Sequence, residues 1–256
     1  MAYRPFDLTG KVAVITGGNS GIGLGMAEAV AEAGAEVSVW GRNAERNKQA
    51  VARIAAKGVK ATSVVCDVAD PEAVRRASAA TLDAHGRIDA AFANAGVDTG
   101  FTPFVDMTPE DVRRIVDINL NGTLFTFQAA ARHMIARGGG GALVATSSIA
   151  AIEGRARGEH YAASKGGILS MVKALAVEMA RYGIRANSIV PGFIDTPMAG
   201  EAINSPKFVE RVLSRVPMRR WGKPADFGAI AIYLMSDASA YHTGDTFVID
   251  GGYTLF

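Results

Sequence analysis

A single cysteine, Cys66, occurs in 256 residues, so no disulfide can form within the chain. Its setting, TSVVCDV, reads as a small apolar position on a strand rather than a reactive thiol. Histidines number only four. They are scattered, with no Cys-x-x-Cys and no His-Glu-x-x-His spacing, so the sequence offers nothing to hold a metal. A large excess of one charge is also missing: the net charge is +2. Arg113-Arg114 and Arg219-Arg220 are isolated pairs of the kind found on solvated helix faces, and no basic stripe suited to nucleic acid is present. Apolar runs stop short of the length that spans a bilayer. The opening MAYRPFDLTG carries Arg4 and Asp7 and has no apolar core, unlike a signal peptide. These absences lead to the expectation of a soluble, cytoplasmic globular protein without metal, nucleic acid or membrane partner.

What is present is apolar. Hydrophobic residues make up 49% and charged residues 20% of the chain, enough for a large buried core. Short apolar runs at residues 11–17, 36–41, 61–68, 88–96, 141–148, 185–192 and 246–252 read as strands covered on both faces, as in a parallel sheet. Helical periodicity fills the intervals. Leu24, Ala27, Val30 and Ala31 share one face of a helix that Gly34 ends. Asp70-Pro71 and Thr108-Pro109 each pair an N-cap with a proline at the first helical position; the second opens a helix running to about residue 138. A further helix spans about residues 161–182. Alternating strands and helices demand right-handed crossovers and helices on both faces. No linker interrupts the series, so residues 1–256 read as one α/β, doubly wound domain of about seven parallel strands. In such sheets ligands sit beyond the carboxyl ends of the strands.

The first of those ends carries TGGNSGIG, with Gly17, Asn19, Ser20, Gly21, Ile22 and Gly23 between an apolar strand and a helix. Glycines there allow a tight turn and bring backbone amides close to a pyrophosphate, which the helix N-terminus also attracts. A P-loop is excluded, because Leu24 follows Gly23 where a lysine would stand. A nucleophile elbow is excluded, because Ile22 rather than glycine lies two residues after Ser20. Further on, EHYAASKGG sets Tyr161 and Lys165 one helical turn apart on a common face. Bringing a tyrosine from about 10 to near 7 takes roughly 4 kcal/mol of preference for the phenolate. One cation about 4 Å away, at an effective dielectric near 20, supplies roughly that amount. A phenol so tuned can deliver a proton to a developing alkoxide or remove it.

Taken in order, the motifs resemble those of the short-chain dehydrogenase/reductase family, with the 3-oxoacyl-carrier-protein reductases as the closest-looking subgroup. The glycine spacing is Gly-x-x-x-Gly-x-Gly. CDV places Asp67 and Val68 at the family's adenine contact. ANAG supplies Asn94, Ala95 and Gly96, with Ala93 where the family usually has a first asparagine. INLNGT supplies Asn119, TSS supplies Ser148 thirteen residues before Tyr161, and PGFIDT supplies Pro191, Gly192, Ile194 and Thr196. IDGGY matches the last strand. The resemblance implies a Rossmann-type fold and hydride transfer between a nicotinamide cofactor and a carbonyl or secondary alcohol. In it Tyr161 is general acid/base, Lys165 lowers its pKa, Ser148 holds the substrate oxygen, and Asn119 anchors a water that links Lys165 to solvent. It also implies a dimer or tetramer, with the apolar tail Tyr253-Thr254-Leu255-Phe256 covered by a neighbour.

The second strand ends in VWGRN. Gly41 stands where an NAD site carries an acid, and Arg42 offers a guanidinium to a 2′-phosphate, so NADP(H) is favoured over NAD(H). Substrate selection falls to residues 197–215 and to the segment between Ser148 and Tyr161. The latter carries Glu153, Arg155, Arg157 and His160, which either meet an oxygenated or anionic substrate or are solvated loop charges. Two other classes stay open: a dinucleotide-binding sensor or scaffold, and a non-redox enzyme using the same cleft.

Overall fold

The computed structural model describes residues 4–98 and 100–255, with Glu201 and Ala202 described by their backbone alone. Thr99, Phe256 and the first three residues lie outside the described residues. Strands form at β1 (Val12–Thr16), β2 (Glu36–Gly41), β3 (Ala61–Val65), β4 (Ala90–Ala93), β5 (Gly141–Thr146), β6 (Ile184–Pro191) and β7 (Thr246–Ile249). All seven join one sheet in the order β3-β2-β1-β4-β5-β6-β7, and every pairing is parallel. Each expected strand is therefore found. Several are shorter at their carboxyl ends, where the last residues have left the ladder to form the loops of the site.

Side chains alternate between the two faces of a strand, and β1 shows the result. Ala13 and Ile15 point into one core with Met26, Ala27 and Val30 of α1 (Gly21–Glu32). Val14 points into the other with Trp40, Leu143 and Phe127. That second core also receives α3 (Pro71–His85), α5 (Gly122–Arg137) and α6 (Glu159–Met179). A parallel sheet coated on both sides needs apolar residues at nearly every position. The chain moves from β1 outward to β2 and β3, then returns to place β4 on the other side of β1. The crevice opens at that reversal.

Caps act as the sequence suggests. Asp70 accepts from the Glu72 amide ahead of α3, and Gly86 closes that helix in the left-handed region at φ 76°. Thr108 accepts from the Asp111 amide ahead of α4 (Pro109–Val116). The single helix expected from Thr108 onward is not continuous. A π-helical turn at Asp117–Asn121 separates α4 from α5. The extra residue in that turn leaves Asn119 wholly buried, while Gly122 packs so close to Val68 that a Cβ would lie 2.6 Å from its Cγ2.

Three helices go beyond the expected set: α2 (Ala44–Ala55), α7 (Pro206–Leu213) and α8 (Gly228–Met235). α2 buries only Asn47, Ala50 and Ile54, too sparse an apolar face to stand out in sequence. α8 is apolar all round and reads equally well as a strand. α7 lies inside the segment expected to select substrate. Cys66 is buried, and burial with Asp67 nearby pushes its thiol up to about 11, so it is an inert core residue. No described helix is long and apolar enough to cross a membrane.

Candidate active site

The glycine loop links the end of β1 to α1. Gly17 and Gly21 take positive φ, 64° and 52°, a region that side chains other than glycine resist. Gly23 is needed for a different reason: a Cβ there would lie 2.4 Å from the Gly17 carbonyl oxygen and 2.5 Å from Asn94 Nδ2. Ser20, at the N-cap of α1, makes no side-chain capping bond. The first amides of the helix thus lie at the wall formed by Ser20, Gly21 and Ile22. Asn94 locks the loop to two strands. Its Nδ2 donates to the Thr16 carbonyl (3.2 Å), its own amide donates to Thr16 Oγ1 (3.0 Å), and its Oδ1 accepts from Thr146 Oγ1 (3.2 Å).

Across the crevice, Tyr161 and Lys165 occupy the first turns of α6, with Lys165 Nζ 5.8 Å from the centre of the Tyr161 ring. Lys165 is buried and donates to the Thr146 carbonyl at 2.9 Å. Ser147 Oγ donates to the Lys165 carbonyl at 2.8 Å. Helix α6 is thereby tied to the end of β5, directly before Ser148. Burial depresses the Lys165 ammonium to about 8, with Asp98 pulling the other way. Burial also raises the Tyr161 phenol above its ordinary value; a hydrogen bond with Ser148 and the charge of Arg155 oppose that rise, and Asp98 adds to it. In this chain burial is the largest influence on the phenol, above the Ser148 hydrogen bond and the Arg155 charge.

The structure brings most of the sequence-derived residues to one cleft of about 1100 Å³. Gly17, Ser20, Gly21 and Ile22 line one end, and Asn94, Ala95 and Gly96 the floor. Ser148, Tyr161 and Lys165 form one wall, and Pro191, Gly192, Ile194 and Thr196 the other. Six expected residues do not line it. Gly23 sits behind the loop, as above. Asn19 donates to Asn47 Oδ1 at 2.6 Å. Arg42 and Asp67 are exposed, Asp67 accepting from the Ala69 amide, and Val68 is buried against Gly122. Asn119 works from behind the floor: its Oδ1 accepts from the Val97 amide at 2.8 Å and its Nδ2 donates to the Val97 carbonyl at 3.0 Å. Its Nδ2 also reaches Ser164 Oγ on α6 at 3.2 Å. Gly96 keeps the gap between them open, since a Cβ there would lie 3.2 Å from Asn119 Oδ1 and 3.4 Å from Lys165 Nζ.

The sequence did not single out Thr146, Asn47 or Asp98. Asn47 is buried beside Gly41, donating to its carbonyl at 2.8 Å, and only the glycine at 41 hints at a close neighbour. The donors present fit a dinucleotide. Lys165 Nζ, with three N–H groups, has one acceptor among the described residues. The uncapped amides of α1 suit a pyrophosphate.

A family model described as enoyl-(acyl carrier protein) reductase matches residues 17–254. A short-chain type dehydrogenase/reductase from Mycobacterium marinum superposes with a TM-score of 0.93 at 39% identity, covering 97% of each chain. The chain belongs to the short-chain dehydrogenase/reductase family. Other members extend the likeness. An L-rhamnose-1-dehydrogenase from Scheffersomyces stipitis is 38% identical over 249 residues, 96% of this chain and 96% of that protein. A gluconate 5-dehydrogenase from Burkholderia cenocepacia, solved in complex with NADP and tartrate, has a TM-score of 0.93 at 35% identity and covers 98% of each chain. As a short-chain dehydrogenase/reductase the protein is an NAD(P)-dependent oxidoreductase acting on CH–OH groups and their carbonyls. The sensor and non-redox readings are set aside by that membership together with the full set of Asn119, Ser148, Tyr161 and Lys165.

Proposed function

We propose that the protein interconverts a small oxygenated ketone and its secondary alcohol with NADP(H) as the preferred cofactor, using Tyr161 as the proton carrier. The observation that carries this reading is the placement of Tyr161, Ser148 and Lys165 on one wall of the cleft that the glycine loop closes. The nicotinamide supplies or accepts the hydride when bound. Ser148 holds the substrate oxygen beside the Tyr161 hydroxyl, and Tyr161 gives that oxygen a proton in reduction and takes it in oxidation. Lys165 donates to the Thr146 carbonyl, and its remaining N–H groups would be available to the cofactor's ribose. Asn119 sets the loop at Val97 and, through that loop, the floor of the cleft. Gly17, Ser20, Gly21 and Ile22 would hold the cofactor's phosphates, with Asn19 and Gly23 shaping that loop from behind; Asp67 and Val68 would flank its adenine, and Ile194 and Thr196 its amide.

Preference for NADP(H) rests on Gly41 and Arg42. A Cβ at Gly41 would meet Asn19 Nδ2 at 2.4 Å and Asn47 Oδ1 at 2.6 Å, so the asparagine pair occupies the room an acidic side chain needs. Exposed Arg42 next to it is free to meet a 2′-phosphate. Residues 197–215 select the substrate; Met198, Ile203 and Phe208 of that segment line the cleft. We include in the proposal a single catalytic unit over residues 1–256, a cytoplasmic location and a tetramer or dimer. The exposed Val177 on α6 and Leu255 near the carboxyl end supply apolar surface for such an assembly.

The test is nicotinamide absorbance with purified protein, NADPH and NADH in parallel, against a panel of sugars, polyols and cyclic ketones. Turnover faster with NADPH, and reduced about 10²- to 10⁴-fold by Tyr161→Phe, is the expected result. Undiminished turnover in Tyr161→Phe would overturn the role given to the phenol.

A further inference from the structure

The segment between Ser148 and Tyr161 leaves a choice between solvated charges and substrate contacts, and Arg155 is not solvated. Its side chain is 21% exposed, and its Nη2 donates to Asp98 Oδ2 at 2.7 Å. The guanidinium carbon lies 4.8 Å from the centre of the Tyr161 ring and 5.0 Å from that of Phe101. Rings against a guanidinium cover its faces and leave its edges to bind. Asp98 occupies one edge. Nε and Nη1 have no acceptor among the described residues. Five N–H groups in a fixed fork are more than one carboxylate consumes, so a second carboxylate can be held without displacing the first.

The surroundings favour the same sign of ligand. Among the described residues, Arg155, Arg157, Arg211 and Arg215 line this part of the cleft against Asp98 and Glu153. Arg215 is also fixed: its Nη1 donates to the Tyr253 hydroxyl at 2.7 Å, and its guanidinium carbon is 4.3 Å from that ring's centre. Two guanidinium groups, each held in place by a ring and a hydrogen bond, thus line the same cleft as Tyr161. A cleft walled by protein and carrying excess positive charge concentrates anions.

We propose that Arg155 is the receptor for a carboxylate on the substrate, so that the preferred substrates are oxo acids and the corresponding hydroxy acids. This rests on the reading above that Tyr161 serves the carbonyl. The ring that Arg155 covers then belongs to the residue that exchanges the proton, which places the carboxylate and the reacting oxygen in one bound molecule. A neutral ketone of the same size fills the space but leaves the free edge of Arg155 unsatisfied.

The experiment is calorimetric titration of tartrate, and separately of erythritol, into the full chain saturated with NADP⁺. The two probes share a four-carbon hydroxylated skeleton and differ in their carboxylates. Tartrate is expected to bind saturably and at least about tenfold more tightly than erythritol, because hydrogen bonds to a charged group are worth about 10- to 100-fold in affinity. Added salt should weaken tartrate alone. Arg155→Gln should lose the tartrate preference with its NADP⁺ affinity unchanged, and Arg155→Lys should keep part of it. Equal binding of the two probes, or a preference that survives in Arg155→Gln, would overturn the assignment; so would no tartrate binding by protein that does bind NADP⁺. If Arg155→Gln does not fold, the salt response of the wild type and the Arg155→Lys titration decide the matter. Failure of NADP⁺ itself to bind would count against the dinucleotide reading instead.

Discussion

Lys165, on α6, donates its ammonium to the Thr146 carbonyl, at the end of β5, across 2.9 Å. That contact sets the pitch of the helix carrying Tyr161 against the strand leading to Ser148, and it does so with a fully desolvated cation. The cost is visible in the pKa, held at about 8 instead of 10.5 by burial. A lysine whose folded-state pKa is depressed destabilises the fold below that value, and the penalty is released as pH rises from about 8 toward 10.5. The shift corresponds to about 3 kcal/mol, from which about 1 kcal/mol is subtracted if the Thr146 carbonyl loses its partner. Lys165→Met should therefore be inactive yet more stable than wild type by about 2 kcal/mol at neutral pH. Urea unfolding should show the gain shrinking as pH rises above about 8. A variant less stable than wild type by the same amount at every pH would mean that the buried charge carries no such penalty.

Cofactor preference should reside in charge and space together. Arg42→Ala is expected to raise KM for NADPH by about 10- to 100-fold, the worth of charge-assisted hydrogen bonds to a phosphate. KM for NADH should change little. Gly41→Asp should weaken both cofactors, since the new Cβ meets Asn19 and Asn47 before any carboxylate can reach a ribose. Adding Asn19→Ala together with Asn47→Ala to Gly41→Asp removes both obstructions and should then recover NADH binding. Steady-state KM values for the three variants with both cofactors check this; an unaltered NADPH KM in Arg42→Ala would remove the arginine from the phosphate site.

The parts legible in the sequence are those with strong local causes. Apolar runs marked the strands, because the five inner ones, β2, β1, β4, β5 and β6, are covered on both faces and need apolar residues at nearly every position. The edge strands β3 and β7 keep partly exposed runs. Asp70-Pro71 and Thr108-Pro109 marked helix starts because their side chains do the capping locally. Strand order is not local, and the alternation of strands and helices gave only a doubly wound parallel sheet without its order. The π-helical turn at Asp117–Asn121 was not legible, since it exists to aim Asn119 at Val97, twenty-two residues earlier. Arg155 could be named as a candidate but not resolved, because its partner Asp98 and the ring of Phe101 come from a different loop. The acidity of Tyr161 is non-local in the same way: spacing shows Lys165 nearby, while burial, the largest influence on the phenol in this chain, is set by the whole cleft.

Asn119 offers the sharpest test of how the floor of the cleft is held. Its amide makes a reciprocal pair with Val97, accepting from the backbone N–H at 2.8 Å and donating to the carbonyl at 3.0 Å. Asn119→Asp preserves shape and the first bond but sets a carboxylate oxygen against the Val97 carbonyl. In a fully buried position that mismatch should cost about 2 to 4 kcal/mol at neutral pH. The new carboxyl can donate to the carbonyl only when protonated, so its pKa in the folded chain must lie above the ordinary value near 4. A carboxyl with a raised pKa loses stability as pH climbs through it, so the variant should approach wild type near about pH 4 and fall away toward about pH 7. NADP⁺ affinity should follow the same course, because the loop held by Asn119 continues from Asn94, Ala95 and Gly96. Parallel urea titrations of both proteins across that range give the answer: a stability difference that does not change with pH would show that the Val97 carbonyl does not face the amide nitrogen.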